Sequence, residues 1–169
     1  MRGIGALLIV LASAALGLGF VRSRRRRLYA LREICAGLEL LSAELDKWAE
    51  PLPRTLERLG TVAPECAGTF FCLLAEKMTE LGERRFAELW SECVEASFPD
   101  LKKQERQELC SLGGILGRYE LSRQLEGIDR CRTRLALDRD RAAASFGQEQ
   151  RLGLGLSLTS GVLLALVLF

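Results

Sequence analysis

The chain has 169 residues, of which 24 are basic and 22 are acidic, and it contains no histidine. This near balance of charge excludes the bulk positive field that is typical of nucleic-acid-binding proteins. The lack of histidine excludes the commonest zinc geometries and every histidine-based acid, base or triad mechanism.

Both ends of the chain are apolar. Residues 3–21 and residues 152–169 carry no charged side chain. At about 1.5 Å per residue, each segment makes a helix close to the roughly 30 Å of bilayer hydrocarbon, so each is predicted to span a membrane. A cleaved signal peptide is the alternative for the first segment. Its positive charges lie mainly after the apolar run, however, and no small-residue cleavage site precedes them, which favours an anchor.

An arginine block follows the first apolar segment. Its members are Arg22, Arg24, Arg25, Arg26 and Arg27. Together with Arg151 they flank the middle of the chain, so the positive-inside rule predicts a cytosolic middle and outward-facing termini. Because the block adjoins an apolar segment, we favour contact with anionic lipid headgroups over nucleic-acid binding or a nuclear signal.

Six cysteines are scattered through the middle of the chain without a Cys-x-x-Cys pair: Cys35, Cys66, Cys72, Cys93, Cys110 and Cys131. We interpret them as reduced thiols in ordinary core packing, which also fits the cytosol. The predicted organisation is an N-terminal transmembrane anchor at residues 1–27, a cytosolic helical bundle at 28–151 and a C-terminal transmembrane helix at 152–169.

The first predicted helix of the middle runs from residue 28 to about residue 50. Its apolar residues follow a 3,4,3,4,3 spacing that lines one helix face: Leu31, Ile34, Leu38, Leu41, Leu45 and Trp48. Pro51 ends this helix, and Pro53 lies in the first turn of a second helix that reaches about Val62. A third helix is predicted from Pro64 to near Gly82.

The fourth predicted helix contains Trp90 and ends at Phe98-Pro99. A fifth is predicted from Lys102 to Gly117, and its end is rich in glycine: Gly113, Gly114 and Gly117. Such glycines allow the close approach of a neighbouring backbone or a sharp turn. A phosphate-binding loop is the alternative, but the preceding strand and the following Lys-Ser or Lys-Thr that it needs are missing.

A sixth helix is predicted from Glu120 into the second apolar segment, since no proline interrupts it. A seven-residue spacing gives one apolar face: Leu121, Leu125, Ile128, Leu135, Ala142 and Phe146. Arg132 and Arg139 interrupt this face. Either the helix leaves the bundle there and becomes solvated, or the two arginines form a charged face that binds a partner.

No set of residues in the sequence indicates catalysis. There is no Gly-x-Ser-x-Gly, no metal-ligand cluster and no dinucleotide-binding fingerprint, and no cysteine has a histidine to activate it. We therefore predict a non-enzymatic protein without a metal, a cofactor, a small-molecule substrate or a nucleic-acid partner.

The order of these elements resembles the stage III sporulation protein AB family of endospore-forming bacteria. The resemblance covers essentially the whole chain and is carried by an N-terminal span with an arginine run, Pro51-Leu52-Pro53, Leu56-Glu57-Arg58-Leu59, Trp90, the segment Leu112-Gly113-Gly114-Ile115-Leu116-Gly117 with Gln124 beyond it, and a C-terminal span. One departure is Arg118-Tyr119-Glu120, where the family's pattern has a small polar residue and an acid nearer to Gly117.

The resemblance implies an all-α fold: a cytosolic six-helix bundle, similar to the F-domain of type II secretion and type IV pilus platform proteins, flanked by two transmembrane helices. It also implies a platform subunit of a transenvelope channel complex, in the mother-cell membrane that surrounds the forespore. The implied partners are a cytosolic ATPase and other channel subunits. The alternatives are a platform fragment of another secretion or pilus system and a membrane-anchored regulatory adaptor.

Overall fold

The computed structural model describes the backbone of residues 2–48 and 51–168, and the side chains of residues 19, 21–47 and 51–145. Within these residues the fold is all-α and contains no strand, which confirms the predicted class. Six α-helices and one short 3₁₀ helix follow one another: α1 (Arg2–Trp48), α2 (Leu52–Val62), α3 (Glu65–Lys77), the 3₁₀ helix (Met78–Glu80), α4 (Phe86–Ser97), α5 (Lys103–Leu112) and α6 (Leu121–Leu168).

The chain divides into two compact units. One unit is Tyr29–Arg139, and the other combines Met1–Leu28 with Asp140–Phe169. Among the residues that the structure describes, no helix combines the length and the apolar character needed to cross a membrane. The predicted spans fall almost entirely on residues 1–18 and 146–169, whose side chains lie outside that description, so both spans stay predictions.

Proline sets the starts of α2 and α3, as predicted. Pro51 immediately precedes α2, and its carbonyl oxygen accepts hydrogen bonds from the backbone N–H groups of Arg54 (3.1 Å) and Thr55 (3.4 Å). Pro53 lies in the first turn, where a missing N–H costs nothing. Pro64 precedes α3 in the same way. The prolines therefore define the corners of the bundle.

The predicted fifth helix is too long. Helix α5 ends at Leu112 instead of Gly117, because the chain then makes successive tight turns with three-residue spacing. The N–H groups of Gly113, Gly114 and Ile115 donate to carbonyl oxygens three residues earlier, at 3.1, 3.2 and 2.9 Å. Such bonds tighten a helix end and stop its propagation.

The hydrophobic core of Tyr29–Arg139 is built from one face of each helix. On α1 five members of the predicted face are buried: Leu31, Ile34, Leu38, Leu41 and Leu45. The sixth, Trp48, has its side chain outside the described residues. Opposite this face of α1 lie Leu56 and Leu59 of α2, Phe70, Phe71 and Leu74 of α3, Leu89, Trp90, Cys93 and Val94 of α4, Leu109 and Leu112 of α5, and Ile128, Cys131 and Leu135 of α6.

On α6 the predicted apolar face is correct only in part. Ile128 and Leu135 are fully buried, but Cys131 occupies the core position between them, whereas Arg132 lies at the surface. Leu121, which the spacing also assigned to the core, is 37% exposed. A spacing of seven drifts around a 3.6-residue helix, so the start of the predicted face turns away from the bundle. The last member of that face, Phe146, has its side chain outside the described residues.

An aromatic cluster around Trp90 forms the centre of the core. The ring of Phe70 meets the Trp90 indole edge to face, at a centroid distance of 5.0 Å and an interplanar angle of 88°. Phe71 and Phe98 lie 5.1 and 5.5 Å from Phe70. The buried indole N–H donates to the carbonyl oxygen of Leu109 at 2.7 Å, so no polar group of this side chain is left unsatisfied.

Gly113 lies directly against the Trp90 indole. A Cβ atom at position 113 would lie 2.7 Å from both Cγ and Cδ1 of Trp90, which is closer than any real contact. Glycine is therefore required where α5 ends, because a fully buried tryptophan has no room to move aside.

We predict that Gly113→Ala destabilises the bundle by about 1–3 kcal/mol, the usual cost of overpacking a well-filled core. The free energy of unfolding can be measured by chemical denaturation followed by tryptophan fluorescence. Gly114→Ala is the matched control, since its Cβ would meet only the Ser111 carbonyl oxygen at 3.5 Å. Equal stability of the two variants would contradict the proposed contact.

Candidate partner-binding surface

The structure places Arg132 in a groove between α1 and α6. Its guanidinium pairs with Asp129 of α6 at 3.0 Å and with Glu39 of α1 at 3.8 Å. The hydrogen bond to Asp129 raises the pKa of Arg132. Arg132 therefore belongs to the bundle surface and is already neutralised by the bundle's own carboxylates.

The groove itself has a volume of about 310 Å³ and is lined by Glu39, Ser42, Ala43, Asp46, Leu125, Ile128, Asp129 and Arg132. Three carboxylates face one guanidinium there, so the groove is acidic. Arg139 lies seven residues further along α6, about two helical turns, and is half-buried. The structure thus describes different settings for the two arginines that the sequence assigned to one face.

The turn that joins α5 and α6 is fixed by one side chain. The amide of Gln124 spans it: Oε1 accepts from the backbone N–H of Gly117 at 3.1 Å, and Nε2 donates to the carbonyl oxygen of Tyr119 at 2.6 Å. Gly117 has φ +71°, in the left-handed region that favours glycine. The sequence segment from Gly113 to Gln124 is therefore one structured corner.

A second and larger concavity lies beside this corner. It has a volume of about 820 Å³ and is lined by Ile115, Tyr119, Glu120, Ser122, Arg123, Glu126, Gly127 and Arg130. We call it the corner concavity. Gly127 is buried, and a Cβ there would lie only 3.1 Å from Cδ1 of Ile115, so α6 packs directly on the Ile115 side chain. Ile115 is thereby held at the wall of the concavity.

Two arginines flank the exposed ring of Tyr119 at the rim. The guanidinium carbon of Arg123 lies 4.5 Å from the ring centroid, and that of Arg118 lies 5.9 Å from it. Tyr119 is 40% exposed. Sequence reasoning noted this tripeptide only as a departure from the family's pattern. It missed the juxtaposition because Arg123 comes into range only through the Gln124-stabilised turn.

The remaining residues that the sequence singled out have structural positions. Pro51 and Pro53 start α2, and Trp90 packs on Gly113 in the core. Gly114, the residue after Gly113, is exposed. The arginine block (Arg22, Arg24, Arg25, Arg26 and Arg27) lies on α1 in the unit formed with the chain ends.

All six cysteines are free thiols. Burial raises the pKa of Cys93 to about 11 and that of Cys131 to about 12. Burial also raises the pKa of Cys66 and of Cys110. These shifts oppose formation of the thiolate, which is the nucleophilic form. Within the described part of the chain, no group of His, Cys, Asp or Glu is arranged to hold a metal ion.

Comparison with known proteins identifies one family. The family model described as stage III sporulation protein AB matches residues 2–169. A solved structure of a stage III sporulation protein AB is similar in fold, with a TM-score of 0.63 and 21% sequence identity, over 72% of this chain and 97% of that chain. At this identity the likeness concerns the fold alone. No curated protein matches the chain.

We predict that Gln124→Leu loosens the α5–α6 corner, since both of its hydrogen bonds are lost while the side-chain volume is kept. Amide hydrogen exchange should become faster at Gly117, by about fivefold if one net hydrogen bond of roughly 1 kcal/mol is removed. Gln107→Leu, an exposed position on α5, is the control and should leave this exchange unchanged. Unaltered exchange at Gly117 in Gln124→Leu would show that the two hydrogen bonds of the Gln124 side chain do not stabilise the corner.

We also predict that alkylation of the native protein at pH 8 modifies Cys72 well before Cys93 and Cys131. Cys72 is exposed, whereas burial keeps the other two thiols protonated and inaccessible. Mass spectrometry of the labelled peptides measures the order. Labelling of Cys131 as fast as Cys72, without denaturant, would show that α6 does not pack as described.

Proposed function

Since the chain belongs to the stage III sporulation protein AB family, we propose that it is a non-enzymatic platform subunit of the transenvelope channel complex between mother cell and forespore. The subunit is anchored in the mother-cell membrane around the forespore, with its helical bundle in the mother-cell cytosol. The bundle binds a cytosolic ATPase and, with the membrane segments, holds channel subunits in position.

The observation that carries this proposal is the extent of the family match. It runs from residue 2 to residue 169 and so includes both apolar segments and the arginine block as well as the bundle. Two apolar segments beside a basic block favour insertion with the bundle on the cytosolic side. The proposed topology therefore depends on features that the match includes.

The packing of the bundle supports a scaffold role. Side-chain contacts join its helices: the Trp90 indole bonds to Leu109 across α4 and α5, and Arg58 of α2 pairs with Glu44 of α1 at 2.6 Å. Arg134 of α6 also pairs with Glu108 of α5. A rigid body suits a protein whose task is to hold other proteins in a fixed geometry.

Anchoring also supports the proposed mechanism. A bundle held at a membrane meets an ATPase and channel subunits at a high effective concentration, so individually weak contacts suffice to assemble them. The ATPase does the work of transport, and the platform subunit holds the other components in position. This division fits the described thiols of Cys93 and Cys131, since burial raises their pKa and so opposes their activation.

The test uses the full chain with an affinity tag in a sporulating host that lacks its own copy. We expect the protein in the membrane fraction, co-purification of the ATPase, and restoration of spore formation. Normal sporulation of the deletion strain, together with no recovery of the ATPase, would overturn the proposal. Recovery of a signalling protein without envelope components would favour a regulatory adaptor instead.

A further inference from the structure

We infer that the corner concavity is the docking surface for an acidic segment of a partner protein. That the partner is the ATPase or a channel subunit rests on the proposed function. That its segment is acidic is inferred from the concavity alone. Tyr119 and Arg123 line this surface, and Arg118 lies beside the Tyr119 ring at its rim. The surface is on the side of α6 away from the groove that contains Arg132.

The first argument is charge. Most arginines of the bundle are neutralised by carboxylates within 4 Å: Arg58, Arg84, Arg85, Arg106, Arg130, Arg132 and Arg134. In the described part of the chain, Arg32, Arg54, Arg118 and Arg123 make no such ion pair. Of these four, Arg118 and Arg123 lie against the same Tyr119 ring. Their forked guanidinium donors are thus available for a carboxylate.

The carboxylates near the concavity do not cancel these charges. Glu126 pairs with Arg130 at 2.7 Å, so these two neutralise one another. The carboxylate that is left, Glu120, offsets only one of the two positive charges of Arg118 and Arg123. The surface therefore keeps a net positive charge. A segment that carries carboxylates is the complement of this arrangement.

The second argument is the composition of the surface. Tyrosine and arginine are the side chains most enriched at the energetic centres of protein interfaces. Tyr119 offers a large, partly exposed ring, and Ile115 offers an apolar wall beside it. The surface therefore fits a segment in which an apolar side chain accompanies the carboxylates.

The third argument is rigidity. The Gln124 amide closes the corner, Gly113 is fixed on the Trp90 indole, and α6 rests on Ile115 at Gly127. The backbone that carries the binding groups is consequently held in one arrangement before a partner arrives, which reduces the cost of ordering it on binding. The acidic groove around Arg132 differs, since a partner there must compete with Asp129 and Glu39.

The experiment places a photoreactive benzoylphenylalanine at Ser122, which lines the concavity, in the full chain of sporulating cells. Mass spectrometry then identifies the captured peptide. We expect a protein segment with an excess of Asp and Glu. Capture of lipid, of a segment without that excess, or of nothing would overturn the inference.

Charge reversal provides the second arm. Arg118→Glu combined with Arg123→Glu should reduce capture at least about tenfold, because attraction becomes repulsion. Arg118→Lys combined with Arg123→Lys keeps the charge but loses the forked donors, so it should reduce capture by less than the double reversal does. The matched control is Arg32→Glu combined with Arg85→Glu, two exposed arginines on α1 and directly before α4, which should leave capture unchanged. Circular dichroism confirms that each variant is folded.

The outcomes separate this inference from the proposed function. If an acidic segment is captured from a protein other than the ATPase or a channel subunit, the docking surface stands and the proposed partner is wrong. If the ATPase co-purifies equally well with the doubly reversed Arg118 and Arg123 variant, the platform role stands and the docking surface is wrong. Loss of the ATPase only on reversal of Arg132 and Arg139 would likewise reject the concavity.

Discussion

The contact between Trp90 and Gly113 determines how the rest of the bundle is arranged. The indole is fully buried, its ring is packed by Phe70, and its N–H is bonded to the Leu109 carbonyl oxygen at 2.7 Å. These contacts hold the Trp90 indole in one orientation. Because Gly113 lies directly against the Trp90 side chain, the end of α5 and the direction in which the chain leaves that helix are determined as well.

The candidate surface is a consequence of that packing. The chain leaves Gly113 in tight turns, reverses at Gly117 and enters α6 under the control of Gln124. This path brings Arg118 and Arg123 to the same tyrosine ring. A core contact thus positions polar groups that do not touch it, and loop residues acquire a defined geometry from the rigid elements on either side.

The sequence predicts those features that depend on neighbours along the chain. The 3,4 spacing on α1 identifies its buried face, and prolines locate the starts of α2 and α3, because both signals are local. The end of α5 and the place of Arg132 depend on tertiary contacts, with Trp90 and with Glu39, that no local pattern encodes. The corner concavity was missed for the same reason. Single exposed Arg and Tyr residues look alike in a sequence whether or not a fold brings them together.

The Trp90 and Gly113 contact also constrains how such a protein can change in evolution. The two positions are 23 residues apart, yet any side chain at 113 needs a smaller residue at 90 first. Replacing tryptophan first removes the aromatic partner of Phe70 and leaves the Leu109 carbonyl without its donor. Each single step is unfavourable, so the pair is expected to be kept or exchanged together among descendants of this chain. Exposed residues at the corner, such as Arg118 and Tyr119, carry no such coupling and are free to follow the surface of a partner.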